Sequence, residues 1–309
     1  MKFYGKKPIF YKKAFSLIEV SVVIVIIGIL IAGISSGMDL YQDYRLTSAR
    51  NFTKNAPVSR IPDLKLWLET TSEKTFKIGT TANISDYKNI ALPNDQQDIG
   101  VWQEDVATKY PQEIASQLND FKPSYVKNGI GGLPSLYFDG KDNAVNGDFM
   151  SFDGSLLSVW EDGFTVFVVE KRTALPTTEN YQFLFYSNVP IGLGYGNNSL
   201  VRINIAGTGN IGTILNQDRI HCYYYNISNV STPMAKIWIN KKIYLNGSGN
   251  TITKMKIGTA TAQIAKLANN PFFYTGLISE IIIFARPLSD KELENIHLYL
   301  SNKYKIKLE

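Results

Sequence analysis

The sequence predicts a mainly β protein, in which one N-terminal membrane-spanning helix precedes an antiparallel β-sandwich that closes with a short helix. An apolar run at residues 15–34 predicts the first helix. From Leu64 onward, short runs rich in β-branched and aromatic residues are broken by Gly, Asn, Asp and Pro, which is typical of a sandwich. Ser289 and Glu292 form a capping-box pattern that predicts the closing helix.

The apolar run reads FSLIEVSVVIVIIGILIAGI, and Glu19 is its only charged residue. Its length suits a helix that crosses a bilayer at about 1.5 Å per residue. A secretory signal has a shorter apolar region with the small residue after it, whereas here Ala14 precedes the run. Residues 38–55 lack proline, so we expect the helix to continue as a stalk that ends before Pro57 and Pro62.

The positive charge of the chain is concentrated before this run. Five of the 32 basic residues lie in the first fourteen positions, so the remainder carries 27 basic and 27 acidic residues. A neutral remainder argues against nucleic acid as a partner. Lys12 and Lys13 favour a cytoplasmic leader, and the segment after the run, with Asp39 and Asp43, is not basic. We therefore expect the bulk of the chain on the outer side of the membrane.

The run KKAFSLIEV, residues 12–20, resembles the methylation motif of type IV prepilins and type II secretion pseudopilins. The resemblance implies that prepilin peptidase cleaves between Ala14 and Phe15 and that the new amine of Phe15 is N-methylated. Ala14 departs from the glycine that the family usually has there. The resemblance also implies a bacterial inner-membrane location with a periplasmic C-terminal domain or a place in a filament, and contact with other subunits through this helix.

Glu19 would be the fifth residue of the cleaved chain. A carboxylate in an apolar span is costly and normally has a partner or a function. We expect the amine of Phe15, on the same or a neighbouring subunit, to be that partner, so Glu19 is the predicted assembly residue. The alternative is that Glu19 lies close enough to the interface to reach water.

Several of the clearest β runs show alternation that predicts one buried face. Residues 70–127 have a weaker pattern that suggests loops around isolated strands. In the closing helix, Leu293, Ile296 and Leu300 fall at helical spacing. The runs are LKLWLE (from Leu64), SLYFDG (Ser135), FTVFVVEK (Phe164), YQFLFYS (Tyr181), LVRINIAG (Leu200), RIHCYYYNI (Arg219), AKIWINKKIYLNG (Ala235) and TGLISEIIIFA (Thr275).

The order of several fragments resembles the laminin-G-like, concanavalin A-like jelly-roll family. They are IPDLKLWLE, VWQED, KPSYVKNGIGGLPSLYFDG, FTVFVVEK and the ending GLISEIIIFARPLSDKELENIHLYLSNKYKI. The resemblance implies a concanavalin A-like sandwich, a fold that serves lectins, adhesion modules and hydrolases. The predicted organisation is a leader at 1–14, the helix at 15–55, a linker at 56–63 and the jelly-roll domain at 64–309.

Catalytic patterns are weak in this domain, so we expect no enzyme. A glycoside hydrolase needs two suitably spaced carboxylates, and no alternating acids occur on one run. Glu280 is predicted to be a single solvent-facing acid, His221 a strand residue and His297 a helix-surface residue. Cys222 is the one cysteine, which excludes an intramolecular disulfide.

A calcium ion is the one cofactor that the sequence suggests. Asp139, Asp142 and Asp148 lie in FDGKDNAVNGDF and carry hard oxygen donors. Their spacing is not that of an EF-hand, and polar turn chemistry explains them more simply. We therefore predict no resident cofactor, with these three residues as the calcium candidates.

Three functions remain open from the sequence. The first is a minor pilin or pseudopilin that displays a lectin-like sandwich for adhesion or for binding a carbohydrate or protein. The second is a type II secretion pseudopilin whose domain is purely structural. The third is a membrane-anchored carbohydrate-active enzyme, against which the missing acid pair argues.

Overall fold

The structure is a computed structural model that describes residues 1, 16–79, 86–104, 113–116, 121–140, 147–154, 159–160, 162–175, 181–187, 191–196, 200–204, 207–213, 215–228, 233–248, 255–256, 261–267 and 272–309. The chain divides into two units, residues 1–45 and residues 46–309. The predicted residues Lys12, Lys13, Ala14, Phe15 and Asp142 lie outside the described residues.

Helix α1 spans Leu17–Lys54, and helix α2 spans Asp290–Tyr304. Helix α1 ends before Pro57, in agreement with the predicted stalk, and a short 3-10 helix follows at Val58–Arg60. A second 3-10 helix covers Ile130–Gly132.

The strands of the described chain are β1 (Leu64–Glu69), β2 (Phe76–Ile78), β3 (Lys88–Ile90), β4 (Val101–Gln103), β5 (Glu113–Ser116), β6 (Ser124–Val126), β7 (Ser135–Phe138), β8 (Met150–Asp153), β9 (Val159–Trp160), β10 (Gly163–Arg172), β11 (Gln182–Ser187), β12 (Ile191–Tyr195), β13 (Leu200–Ile203), β14 (Gly207–Asn210), β15 (Arg219–Asn226), β16 (Met234–Ile239), β17 (Lys242–Ser248), β18 (Met255–Lys256), β19 (Thr261–Ile264) and β20 (Gly276–Phe284).

Two large antiparallel sheets contain most of these strands. The first has the order β17-β16-β15-β10-β20-β7-β6, and β1 also pairs with β20. The second has the order β14-β13-β12-β11-β19-β8-β5-β4-β2-β3. Strands β9 and β18 form a separate pair. The mainly β class, with a long apolar helix first and a short helix last, is therefore confirmed.

The side chains of the central strands enter two apolar cores on opposite faces of the first sheet. Val166 and Val168 of β10 join the core that both large sheets share. Phe167 and Val169 of the same strand join a second core, which includes Leu293 and other residues of α2. Strands β10 and β20 are therefore buried on both faces, because α2 covers the face that would otherwise meet water.

Helix α2 begins at the predicted capping box. The Ser289 side chain accepts a hydrogen bond from the Glu292 backbone, and the Glu292 side chain accepts one from the Ser289 backbone. Leu293, Ile296 and Leu300 are buried as the helical spacing predicts. The capping box therefore fixes the first residue of α2, and the apolar stripe fixes which face of the helix is buried.

The C-terminal end of α2 lies against the 3-10 helix at Ile130–Gly132. Gly131 has φ +57°, and a Cβ atom there would lie 2.0 Å from the backbone oxygen of Tyr304. Its amide donates to Asp218 Oδ2 at 2.9 Å. A side chain at this position would therefore clash with backbone that cannot rotate away.

We expect Gly131→Ala to lower the free energy of unfolding by about 3 kcal/mol or more, because backbone strain and a steric clash add. Gly212→Ala is the matched control, since Gly212 has φ +72° and a Cβ atom there would have no neighbour within 4 Å. Strain alone should make it cost about 1 kcal/mol. Urea unfolding of the full chain in detergent measures both, and equal losses would contradict the clash.

Candidate functional site

The first residues of α1 form a capping box that the sequence reasoning missed. The Ser16 amide donates to Glu19 Oε2 at 2.8 Å, and the Glu19 amide donates to Ser16 Oγ at 3.2 Å. Ser-x-x-Glu is the pattern that correctly identified the start of α2, so this signal was present in the sequence. Glu19 therefore has a local role as the residue that closes the helix start.

Beyond this box, residues 20–34 of α1 carry no charged side chain, and their large apolar side chains are exposed on every side of the helix. Its large apolar side chains between Leu17 and Tyr44 are from 46% to 90% exposed. An 18-residue window of the helix has a mean hydropathy of 2.9, and none of that window is buried within the chain. A helix with this surface needs a bilayer or other helices around it.

The acid Glu280 is buried, so the prediction that it faces solvent is wrong. Strand β20 is central in its sheet, and α2 covers the face from which Glu280 projects. Its carboxylate accepts hydrogen bonds from Trp67 Nε1 at 2.7 Å, Tyr299 Oη at 2.8 Å and Tyr304 Oη at 2.9 Å. These donors leave no free face for a substrate.

Glu280 belongs to a buried ion cluster centred on Lys303. Lys303 Nζ lies 2.9 Å from Glu69 Oε2 and 2.8 Å from Glu280 Oε2. Glu69 and Glu280 stand directly opposite each other on β1 and β20, a pairing that repels when both are charged. The lysine between them removes that repulsion. We call Glu69, Glu280 and Lys303 the Lys303 cluster.

The ionisation of this cluster follows from its contacts. Burial alone would raise the pKa of Glu69, but the charge of Lys303 and hydrogen bonds from Ser72 and Thr71 lower it from 4.5 to about 2. Burial alone would lower the pKa of Lys303, yet the charges of Glu280 and Glu69 raise it above its ordinary value. The lysine and Glu69 are therefore both charged at neutral pH.

A second buried polar cluster surrounds Glu170, on the side of β10 that faces the second sheet. His221 Nε2 lies 2.9 Å from Glu170 Oε1, and Tyr195 Oη donates to the same oxygen at 2.7 Å. Tyr274 Oη donates to Glu170 Oε2. Burial alone would raise the pKa of Glu170, but the hydrogen bond from His221 and nearby positive charge lower it. His221 is thus a strand residue, as predicted, and is fully buried.

His297 is also buried, with 2% of its surface exposed, so its prediction as a helix-surface residue is wrong. Its ring packs edge-on against Phe167 of β10, at 5.2 Å between ring centroids. The apolar stripe of α2 is wide enough to include position 297 beside Ile296. The helical spacing of residues 293, 296 and 300 did not by itself predict an apolar stripe wide enough to include position 297.

The predicted calcium residues are partly described. The Asp139 amide donates to Asp148 Oδ2 at 3.0 Å, and the Asp148 amide donates to Asp139 Oδ1 at 3.1 Å. These reciprocal bonds are turn chemistry. Within the described ranges, no group of three His, Cys, Asp or Glu side chains is arranged to hold a metal ion. Because Asp142 is not described, calcium at this loop stays a prediction.

Comparison with known proteins identifies the N-terminal segment. Residues 9–35 match the prokaryotic N-terminal methylation motif. The match contains Lys12, Lys13, Ala14, Phe15 and Glu19 and indicates processing of the type IV pilin or pseudopilin kind. No match was found among curated proteins.

Similar solved structures are distant. Domain 4 of AbnA, a GH43 extracellular arabinanase from Geobacillus stearothermophilus, is 15% identical with a TM-score of 0.41, covering 57% of this chain and 81% of that one. Trypanosoma rangeli sialidase is 17% identical with a TM-score of 0.40, covering 67% of this chain and 31% of that one. The binding domain of botulinum neurotoxin serotype D/C is 12% identical with a TM-score of 0.46, covering 77% and 52%. Similarity at this level carries no information about function.

We expect Lys303→Met to lower the free energy of unfolding by about 3 to 5 kcal/mol, because it leaves two buried carboxylates without their cation. Lys291→Met, on the exposed side of the same helix, is the matched control and should change it by less than about 0.5 kcal/mol. Urea unfolding followed by tryptophan fluorescence measures both variants. If Lys303→Met were as stable as the unmodified chain, the charge of Lys303 would contribute nothing to stability beyond what the methionine side chain contributes.

The lowered pKa of Glu69 predicts acid sensitivity. The folded protein keeps Glu69 ionised down to about pH 2, whereas the unfolded chain protonates it near pH 4.5. The group therefore stabilises the fold above pH 4.5, and this contribution disappears as the pH falls towards 2. The test measures the free energy of unfolding from about pH 6 to about pH 2, roughly the range in which carboxyl groups titrate. As the pH falls, this free energy should decrease less steeply in Glu69→Gln than in the unmodified chain. An unchanged slope in Glu69→Gln would contradict this role of Glu69, and Glu73→Gln, which alters an exposed acid, is the matched control.

Proposed function

We propose that this chain is a minor pilin or pseudopilin subunit that is cleaved before Phe15, assembles through α1 and displays its β-sandwich outside the inner membrane as a non-catalytic binding domain. The observation that carries the proposal is the combination of the methylation motif at residues 9–35 with the exposed, uncharged apolar surface of α1 at residues 20–34. The motif supports cleavage and N-methylation at Phe15, and the apolar surface supports a location of α1 in a bilayer or among other apolar helices.

The free energy of that surface explains why the helix needs partners. Each apolar side chain transferred from water contributes roughly 1.5 to 3 kcal/mol when fully buried. More than a dozen such side chains are exposed along α1. The bilayer satisfies them before assembly, and neighbouring α1 helices satisfy them in a filament.

Cleavage between Ala14 and Phe15 would place a free amine two residues before the first helical residue, Leu17. A positive charge at that place is unfavourable, because the N-terminus of a helix already carries about half a positive charge. The negative charge of the Glu19 carboxylate in the first turn offsets both the charge of the amine and the partial charge of the helix N-terminus. This is a physical reason for a carboxylate at a position where the bilayer makes it costly.

The direction of insertion follows from charge. Lys12 and Lys13 precede the apolar run, whereas Asp39 and Asp43 follow it. The basic side of a span stays in the cytoplasm. The domain that begins after the stalk would then lie in the periplasm or on a filament.

A non-catalytic role is supported by the structural contacts that the candidate acid Glu280 and the candidate base His221 already make. Glu280 is held by Lys303 and three ring donors, and His221 is held by Glu170 within the sandwich. Both are fully buried, so neither offers an open face to a substrate. A purely structural secretion pseudopilin shares the processing and assembly steps and differs in having no ligand for the domain.

The test follows the intact mass of the protein purified from its native membrane. We expect a chain that begins at N-methylated Phe15, because the motif directs both steps. A chain that still begins at Met1 would overturn the proposal and leave α1 as a plain anchor.

Two variants separate the charge of Glu19 from its capping bond. Glu19→Gln keeps the capping box, since glutamine also serves at that position, but removes the charge. Ser16→Ala keeps the charge and removes the Ser16 half of the box. We expect Glu19→Gln to be cleaved yet absent from sheared filaments, and Ser16→Ala to assemble. Assembly of Glu19→Gln at the normal level would show that capping, rather than charge, is what the position requires.

A further inference from the structure

The part of α1 that follows the uncharged apolar run carries three charged side chains, Asp39, Asp43 and Arg45. Both aspartates are exposed, and the arginine is partly exposed. No ion pair or side-chain hydrogen bond within the described residues involves any of the three. These charges are therefore free to bind a partner outside the chain.

The helix itself offers no counter-charge at the positions that neighbour these residues. Asp39 and Asp43 are four residues apart, so they lie on one face and repel each other. No lysine or arginine lies three or four residues from either aspartate, and no acid lies three or four residues from Arg45. A partner that brings a cation to the aspartates and an acid to the arginine would remove both deficits.

The charges lie on opposite edges of an exposed apolar stripe. Leu40, Tyr41 and Tyr44 form the stripe, with 72%, 61% and 69% of their surfaces exposed. In a bundle of helices such a stripe faces the interior, so its two edges meet different neighbours. We call Asp39 and Asp43 the acidic edge and Arg45 the basic edge. Around the helix, at about 100° per residue, the order is Asp39, Asp43, Leu40, Tyr44, Tyr41 and Arg45.

One displacement along the helix axis brings two pairs of opposite charges together. A parallel second copy displaced by four residues, about 6 Å, would place its residue 41, midway between its two aspartates, level with Arg45 of the first copy. The same displacement would place residue 15 of the second copy level with Glu19 of the first, and the proposed cleavage creates an amine at residue 15. Both charge pairs therefore require the same arrangement of neighbouring copies.

We propose that the Arg45 guanidinium of one copy of this chain lies between Asp39 and Asp43 of a second, parallel copy. The planar fork of an arginine can donate to both carboxylates at once. Because each copy carries an acidic and a basic edge, the contact is heterologous and repeats from copy to copy instead of closing as a two-fold dimer. The inference rests on the proposed assembly through α1 and names the neighbour and the contact.

The test measures self-association of the full chain. Two copies with different C-terminal affinity tags are produced in the native membrane, extracted in mild detergent and captured through one tag, and the second tag is then quantified. Arg45→Glu should lower this co-capture at least about tenfold, because like charges then face each other at every contact. Asp39→Lys combined with Asp43→Lys should lower it similarly, for the same reason.

Two rescues separate a charge pair from a general loss of assembly. A chain that combines Arg45→Glu with Asp39→Lys and Asp43→Lys should regain co-capture, because its two edges are again opposite in charge. The Arg45→Glu chain and the chain with both lysines should also capture each other, although neither captures itself. Unchanged co-capture in the chains with one edge reversed would overturn the proposal. Absence of recovery in either rescue would also overturn it, because the charges would then serve a different chain or a lipid.

Arg60→Glu is the control, since it reverses an exposed arginine outside α1 and should leave co-capture unchanged. Every variant should keep the melting temperature of the unmodified chain, because none of the substituted side chains is buried. Every variant should also begin at N-methylated Phe15, because the substitutions lie outside residues 9–35. An uncut unmodified chain would refute the proposed processing, whereas a cleaved chain whose co-capture ignores charge reversal would refute this contact alone.

Discussion

The positive charge of Lys303, placed between two carboxylates that face each other across adjacent strands, determines how the domain closes. Glu69 and Glu280 occupy the same register position on β1 and β20, so pairing these strands with both acids ionised would be unfavourable unless a cation lay between them. Helix α2 supplies that cation. Its apolar stripe then covers the outer face of β10 and β20, which allows both strands to be apolar on both faces.

The sequence predicted the elements better than it predicted their surroundings. Long runs such as β10 and β20 carry enough β-branched residues to be recognised, and Ser289 with Glu292 located the start of α2. The strands at Phe76–Ile78, Lys88–Ile90 and Val101–Gln103 were not individually predicted, because three residues are too few to show a period. Their side chains align only through pairing with distant strands.

The errors at Glu280 and His297 share one cause. Periodicity gives the direction in which a side chain points but does not show what lies on that side. Glu280 points away from the sandwich interior, which for an uncovered sheet would mean water, and α2 lies there instead. The available signal was the end of the α2 stripe, where Lys303 and Tyr304 continue the face of Leu293 and Leu300. A lysine whose ammonium is buried within an apolar stripe is costly unless an acid lies opposite it.

The N-terminal motif was recognised from its residues, but the structural role of Ser16 was not. The same four-residue pattern begins both helices, and at α1 it brings the carboxylate of Glu19 to the amide of Ser16. The carboxylate closes the helix start, and under the proposed cleavage it would also remain available to the new amine of Phe15. Because the capping bond uses Oε2, the other oxygen is the one that a neighbouring amine would approach.

The exposed apolar side chains of α1 and the buried acids of the domain are satisfied in different ways. The apolar surface of α1 is satisfied by hydrocarbon or by other apolar helices, since neither offers or needs hydrogen bonds. The acids of the Lys303 cluster and of the Glu170 cluster are already paired inside the domain, so they need no partner outside it. Substitutions in α1 therefore test the environment of the helix, whereas substitutions in the two clusters test the stability of the domain.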